Sequence, residues 1–331
     1  MRIRLLPIFL SLSSILNAME LYKHQKTFHS PEQLFQAIKE NNLNAVHMLL
    51  QKIDVNCQDK CNNTPLYVAV ENGNLSIAKL LIEKGAKVNA QDIDLLTPLH
   101  EASRKANIEI MQLLIEKGAD INCKDCDQET PLHYAAAVNN SVPLEQRLRA
   151  ATILISKGAD INASDDEEGT PLFYAIHAGN CDMVQLLISK GASIENNDPL
   201  LIAVDSDINI LSFLLSKGAD PDACFVDGST PLFVACDLLD VERVMQLLKY
   251  DVDLDFTPNG RTVFDFIDLL ESKRHDEEDR HKIAEIKSLI TKAALQKKIK
   301  TAEKIRLVLL PENTNHANAF SYPVLAALNR K

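Results

Sequence analysis

The chain contains no Trp, and only 5% of its 331 residues are aromatic, so aliphatic side chains must carry any core. The N-terminal apolar run, LLPIFLSLSSIL at residues 5–16, is twelve residues long, whereas a membrane-spanning helix takes about 20. Positive charge is scarce: 35 Lys and Arg face 46 Asp and Glu, giving a net charge of −11. A surface of that sign repels nucleic acid and anionic lipid. The one basic stretch, Lys297-Lys298-Ile299-Lys300 with Lys304 and Arg306, reads as a solvated helix face, so no nucleic-acid partner is expected. Catalytic signatures are missing as well. There is no phosphate-cradling glycine loop, no H-E-x-x-H, no G-x-S-x-G and no dinucleotide fingerprint. Neither an enzymatic activity nor a cofactor or metal is expected. With ten Gly and thirteen Pro the chain is not low-complexity, and most of these residues recur at fixed places, which points to a modular array.

The repeating unit is clearest at Thr97–Glu129, TPLHEASRKANIEIMQLLIEKGADINCKDCDQE. It holds a Thr-Pro start, two amphipathic stretches, a Lys-Gly-Ala stop and a polar exit. Thr-Pro-Leu recurs at Thr64, Thr97, Thr130, Thr170 and Thr230, with degenerate forms at Asp198-Pro199-Leu200 and Thr262-Val263-Phe264. Successive starts lie 33, 33, 40, 28, 32 and 32 residues apart. In each, Thr can cap a helix and Pro can take its first position, where a missing N–H costs nothing. Leucine pairs such as Leu80-Leu81, Leu113-Leu114, Leu186-Leu187 and Leu214-Leu215 fill the second stretch, and Gly85, Gly118, Gly158, Gly191 and Gly218 suit a left-handed stop.

A period near 33 with T-P-L-H-x-A, carried most fully by Thr97–Ala102 and Thr130–Ala135, resembles the ankyrin repeat. The resemblance covers residues 31 to about 294. It implies an all-α solenoid of stacked helix-turn-helix units with β-turn or hairpin projections, capped at both ends. The expected organisation is a signal peptide at 1–18, a linker at 19–29, an array at 30–294 of seven to eight units, and a C-terminal helix and tail at 295–331. Arg2 and Arg4, the apolar run and Asn17-Ala18 form signal-peptide grammar, against which stand an uncleaved apolar anchor or a start at Met19. Use of the signal would place the protein outside the cytoplasm, periplasmic or secreted, with no membrane span and a net charge moved from −11 to −13 by loss of the two arginines. Without it, a cytoplasmic location is expected.

Departures from the pattern carry the individuality of the chain. The third unit has seven extra residues around Asn140-Ser141-Val142-Pro143-Leu144-Glu145-Gln146, either a partner-contacting loop or a neutral insertion. The unit at Asp198 has lost most of its projection. The last unit is expected to extend into a charged capping helix over 276–294, with a further helix over 295–310.

By the resemblance, His100 and His133 bond backbone between repeats, and partners meet the concave face formed by hairpin tips and the exposed sides of the first helices. Carried over by position, the candidate contacts are Ile93, Asp94, Leu95, Leu96, Arg104 and Lys105, then Cys126, Asp127 and Glu129, then Asp166 and Glu167, with Phe225 and Val226 further on. Ile93, Leu95 and Leu96 place apolar residues where water is expected, and Leu95 sits in the slot that Gly228 fills elsewhere. Either they meet a partner or neighbouring tips pack on one another. Cys57, Cys61, Cys123 and Cys126 do not suit one zinc ion: two repeats separate the pairs, about 20 Å at roughly 10 Å per packed helix layer, against Zn–S bonds of about 2.3 Å. Cys57 and Cys123 occupy a slot filled by Ala90, Ala163 and Ala223, so they serve as small residues, or they pair with Cys61 and Cys126 in disulfides after export.

The leading reading is a non-enzymatic, monomeric scaffold that binds one or more proteins. The alternative is a secreted effector or adaptor of a host-associated microbe, whose array recruits a host protein to a C-terminal active segment. An enzyme fits least, because residues 295–331 are too few for a catalytic domain.

Overall fold

Every Thr-Pro-Leu start opens a helix. Thr64, Thr97, Thr130, Thr170 and Thr230 hold extended backbone at the cap, with Pro following inside the first turn. The Thr64 and Thr170 hydroxyls accept from the amides of Tyr67 and Phe173 at 3.3 and 3.2 Å. Thr97 and Thr130 form reciprocal boxes with His100 and His133. The computed structural model describes residues 30–309, apart from 138–140, 196–198, 225–227, 256–259 and 275.

Sixteen helices and no strand occur among the described residues. They run in pairs: α1 Pro31–Lys39 with α2 Leu43–Leu49, α3 Pro65–Glu71 with α4 Leu75–Glu83, and α5 Pro98–Arg104 with α6 Ile108–Glu116. Then follow α7 Pro131–Ala136 with α8 Leu144–Ser156, α9 Pro171–His177 with α10 Cys181–Ser189, and α11 Pro199–Asp205 with α12 Ile208–Ser216. The series closes with α13 Pro231–Asp237, α14 Val241–Leu247, α15 Val263–Lys273 and α16 Glu277–Leu309. Two compact units divide the chain, one ending at Phe213 and the other starting at Leu214.

In the first unit the leading helices stack in order, α1 on α3 on α5 on α7 on α9 on α11, and the second helices stack behind them from α2 through α10. The repeated letters explain this. Leu66, Leu99, Leu132, Leu172 and Leu200 are fully buried or nearly so, and Ala69, Ala102, Ala135, Ala175 and Ala203 are sealed beside them. Burying one leucine stabilises by about 2 kcal/mol, and the alanines let neighbouring backbones approach. Gly85, Gly118, Gly158 and Gly191 close the second helices at positive φ, where an L side chain would be strained. In the second unit α13 packs on α14 and α15, while α16 covers α14 and α15 through Ile283, Ile286 and Ile290, all buried.

Two local expectations change. The helices anticipated over 276–294 and 295–310 are one continuous helix, α16, of 33 residues, because no Gly or Pro interrupts the stretch. The insertion in the third unit is only partly loop. Its α8 has 13 residues against nine in α6, so about one turn of the extra chain lengthens a helix at its amino end.

Candidate protein-binding site

Four of the hairpins between units are closed by an aspartate five residues before Thr64, Thr97, Thr130 and Thr170. Asp59, Asp92, Asp125 and Asp165 each accept two backbone amides with one carboxylate oxygen. For Asp92 these are Asp94 and Leu96, both at 2.9 Å; for Asp125 they are Asp127 and Glu129, at 3.1 and 2.8 Å. The local bonds stand in for a strand ladder, and the described projections contain no strand. Successive tips are tied by one backbone bond each: Ile93 N–H to Cys61 O (3.0 Å), Cys126 N–H to Asp94 O (3.0 Å) and Asp166 N–H to Asp127 O (3.1 Å). Asn56, Asn89 and Asn122 add a second tie by donating to the carbonyls of Gly85, Gly118 and Gly158 in the following unit.

At the turn of five hairpins one residue adopts a left-handed backbone: Asn62, Leu95, Gln128, Glu168 and Gly228, with φ between 60° and 82°. Asn and Gly visit this region readily, whereas a leucine there costs about 1 kcal/mol. Leu95 is nevertheless 42% exposed, and its neighbour Ile93 is 62% exposed. Packing between tips therefore leaves both side chains in water. Leu96 differs: it is half-buried at the hairpin base, in the slot that Glu129 and Gly169 fill in later units. The tip carries two projecting apolar side chains, where three were expected.

The exposed carboxylates of this tip and the next two are Asp94, Asp127, Asp166, Glu167 and Glu168, and Cys126 is exposed beside Asp127, its thiol donating to that carboxylate at 3.6 Å. Glu129 is withdrawn from the rim. Half-buried, its carboxyl is pushed up, first by burial, with the Tyr174 and Tyr134 hydroxyls nearby acting the other way. Arg104 and Lys105 lie on the helix face as expected but are not free cations. Arg104 grips Glu101 with two bonds of 2.8 and 2.7 Å, and the Lys105 ammonium lies 3.7 Å from the same carboxylate. Glu101 is buried, so this pairing is what makes its charge tolerable. Phe225 and Val226 lie outside the described residues.

The pairs Tyr134–Asp125 and Tyr174–Asp165 escaped the sequence reading. Each hydroxyl donates to the carboxylate of the hairpin that leads into its own helix, at 2.6 and 2.7 Å, and Asp125 is 1% exposed. Burial, then the carboxylate bonds, push the Tyr134 hydroxyl far above its usual range, so it stays a donor. The signal was present: a period-locked Asp followed nine residues later by Tyr. His100 and His133 bridge units as the resemblance implies. Nδ1 accepts from the Thr97 and Thr130 amides at 3.1 and 3.0 Å, and Nε2 lies 3.2 Å from the carbonyls of Glu129 and Gly169. That geometry requires the neutral ring with its proton on Nε2.

All seven cysteines are free thiols. Cys57 and Cys123 are half-buried, and Cys61 and Cys126 are exposed. Burial first, then Asp54 and Asp120 respectively, push the Cys57 and Cys123 thiols up. Among the described residues no three His, Cys, Asp or Glu side chains group as metal ligands, and no helix is long and apolar enough to cross a membrane.

Stacked helix pairs, glycine-stopped second helices and aspartate-closed projections define a repeat solenoid whose variable surface is its row of tips. A family model described as ankyrin repeats (3 copies) matches residues 34–125, 92–165, 120–198 and 144–224; it spans more than half of the chain, which belongs to the ankyrin-repeat family. No curated protein matches it. Ankyrin repeats are generally protein–protein interaction modules and typically non-enzymatic scaffolds.

Proposed function

We propose that the chain is a scaffold that binds a partner protein through the tips at Asp92–Leu96, Asp125–Glu129 and Asp165–Gly169. Ile93 and Leu95 enter an apolar pocket of the partner, and Asp94, Asp127, Asp166 and Glu167 meet basic residues around it. The observation that carries this reading is Leu95. It is held at φ 60° and 42% exposed, so it is disfavoured twice over, by backbone strain and by hydration. Asn62 and Gln128 fill the same slot without the second penalty. Folding does not require a leucine there; a binding surface does. The Arg104–Glu101–Lys105 cluster, two cations on one carboxylate, leaves a single net positive charge on the helix face. The basic start, apolar run and small-residue exit at residues 1–18 support export of this scaffold, and nothing in the tip chemistry requires more than a monomer.

The test is affinity capture with the chain and with an Ile93→Asn, Leu95→Asn variant. Asn already occupies the left-handed slot at Asn62, so the variant should fold. A partner held at stoichiometric level by the chain and lost from the variant is expected. Equal capture by both would overturn the placement.

A further inference from the structure

The insertion of the third unit does more than lengthen α8. It brings Arg147, on the added turn, beneath the end of α7. There one guanidinium nitrogen, Nη2, donates to the Ala136 carbonyl at 3.1 Å. The side chain is 8% exposed, and Nε is buried without any acceptor. No carboxylate lies within ion-pair distance among the described residues. Burial alone acts on the guanidinium, pushing it down with no neighbouring acid in opposition. Of the buried carboxylates of the first unit, Glu101 has its cations beside it and Asp125 accepts three hydrogen bonds; Arg147 has one acceptor and no anion among the described residues. Burying an arginine unpaired is costly, and such groups are ordinarily satisfied by an opposite charge.

A shallow cavity of about 370 Å³ opens beside it, lined by Leu144, Arg147, Gly179, Asn180, Cys181 and Asp182. These residues include the first turn of α10, a nine-residue helix. Asn180 caps that helix with its side chain on the Met183 amide at 3.1 Å. The amides of Cys181 and Asp182 are the remaining donors of the first turn, and neither meets an acceptor among the described residues. A helix start of this kind attracts negative charge. A guanidinium and two orphan amides around one concavity supply the donors that a planar or tetrahedral oxyanion takes.

We propose that Arg147 and the amino end of α10 form a binding site for a single oxyanion, a carboxylate or phosphate group. One oxygen bonds the guanidinium, and a second bonds the amides of Cys181 and Asp182. The carboxylate of Asp182 is the only acidic group lining the cavity, and it weakens the site. The tip row and the oxyanion site share no residue, so either can be lost without the other.

The experiment titrates inorganic phosphate, and separately acetate, into the labelled full-length chain at constant ionic strength set with chloride, following the Cys181 and Asp182 amide resonances. Saturable shifts at both amides with at least one anion are expected; saturation by phosphate alone or by acetate alone assigns the source. Asp182→Asn should tighten binding by about five-fold, the worth of one unit charge at roughly 4 Å through water. Arg147→Met should weaken it by more than about ten-fold, since it removes a charge-assisted pair. If Arg147→Met does not fold, the comparison of the chain with Asp182→Asn decides by itself. No saturable shift beyond the chloride control with either anion, or an affinity unmoved by Asp182→Asn, would overturn the site.

Discussion

Replacing Tyr134 by Phe removes one oxygen and nothing else, and the consequence can be worked from three distances. The Asp125 carboxylate is 1% exposed. One oxygen accepts the Asp127 and Glu129 amides at 3.1 and 2.8 Å, while the other accepts the Tyr134 hydroxyl at 2.6 Å. The phenyl ring cannot supply that proton, and the buried charged oxygen is left bare. A hydrogen bond to a charged group contributes roughly 1.5–3 kcal/mol. Taking about 2 kcal/mol, the midpoint of thermal unfolding should fall by about 4–8 °C for a cooperative unit of 150–250 residues. The matched control is Tyr67→Phe, whose hydroxyl makes no hydrogen bond among the described residues; it should stay within about 0.5 kcal/mol of the parent. Denaturant unfolding at pH 7 measures both. Equal costs for the two variants would refute the view that hairpin carboxylates are held by tyrosine donors, and with it the account of how the tips keep their shape.

Leu95→Gly should raise stability by about 0.5 kcal/mol by relieving the left-handed strain while lowering partner affinity; a loss of stability would mean that Leu95 packs in the fold. His100 and His133 give a pH signature. Burial, the larger cause, lowers both below the ordinary imidazole value of 6.5 despite their backbone bonds, so the unfolded chain binds protons first as pH falls. Their contribution is complete above about pH 6.5 and is lost below it, at up to roughly 1.4 kcal/mol per pH unit for each ring. Since Gln33 already completes the same box with Ser30, replacing both by Gln should flatten the slope between pH 7 and 5.5; an unchanged slope would assign it elsewhere. For the exported form, N-terminal sequencing should begin at Met19, and unreduced protein should carry a disulfide at Cys57/Cys61 or Cys123/Cys126. Seven free thiols in secreted material would sink the pairing.

The fold was legible because most repeats write the same instructions: Thr and Pro to start a helix, Leu and Ala to face the neighbour, Gly to stop. These act within a few residues of themselves, so the one-dimensional sequence is enough. The tips were half legible. Leu95 could be aligned with Gly228, but the left-handed backbone that makes it conspicuous belongs to the aspartate-closed loop. Exposure likewise depends on geometry, which kept Ile93 outside and drew Leu96 in. Partners across space were hidden for the same reason. Glu129, expected as a tip contact, is half-buried, and nothing in its own hairpin letters announces that. Arg147 sat in a stretch that offered no template to compare it with, because no other unit has the insertion.

The most direct test of the central claim is partner affinity measured for the chain and for Ile93→Asn, Leu95→Asn at matched stability, with Met245→Asn, an exposed apolar site remote in sequence, as control. The account predicts a loss of at least about ten-fold at the tips, the scale of two truncated apolar contacts, and none at the control. Unchanged affinity in the tip variant would contradict it.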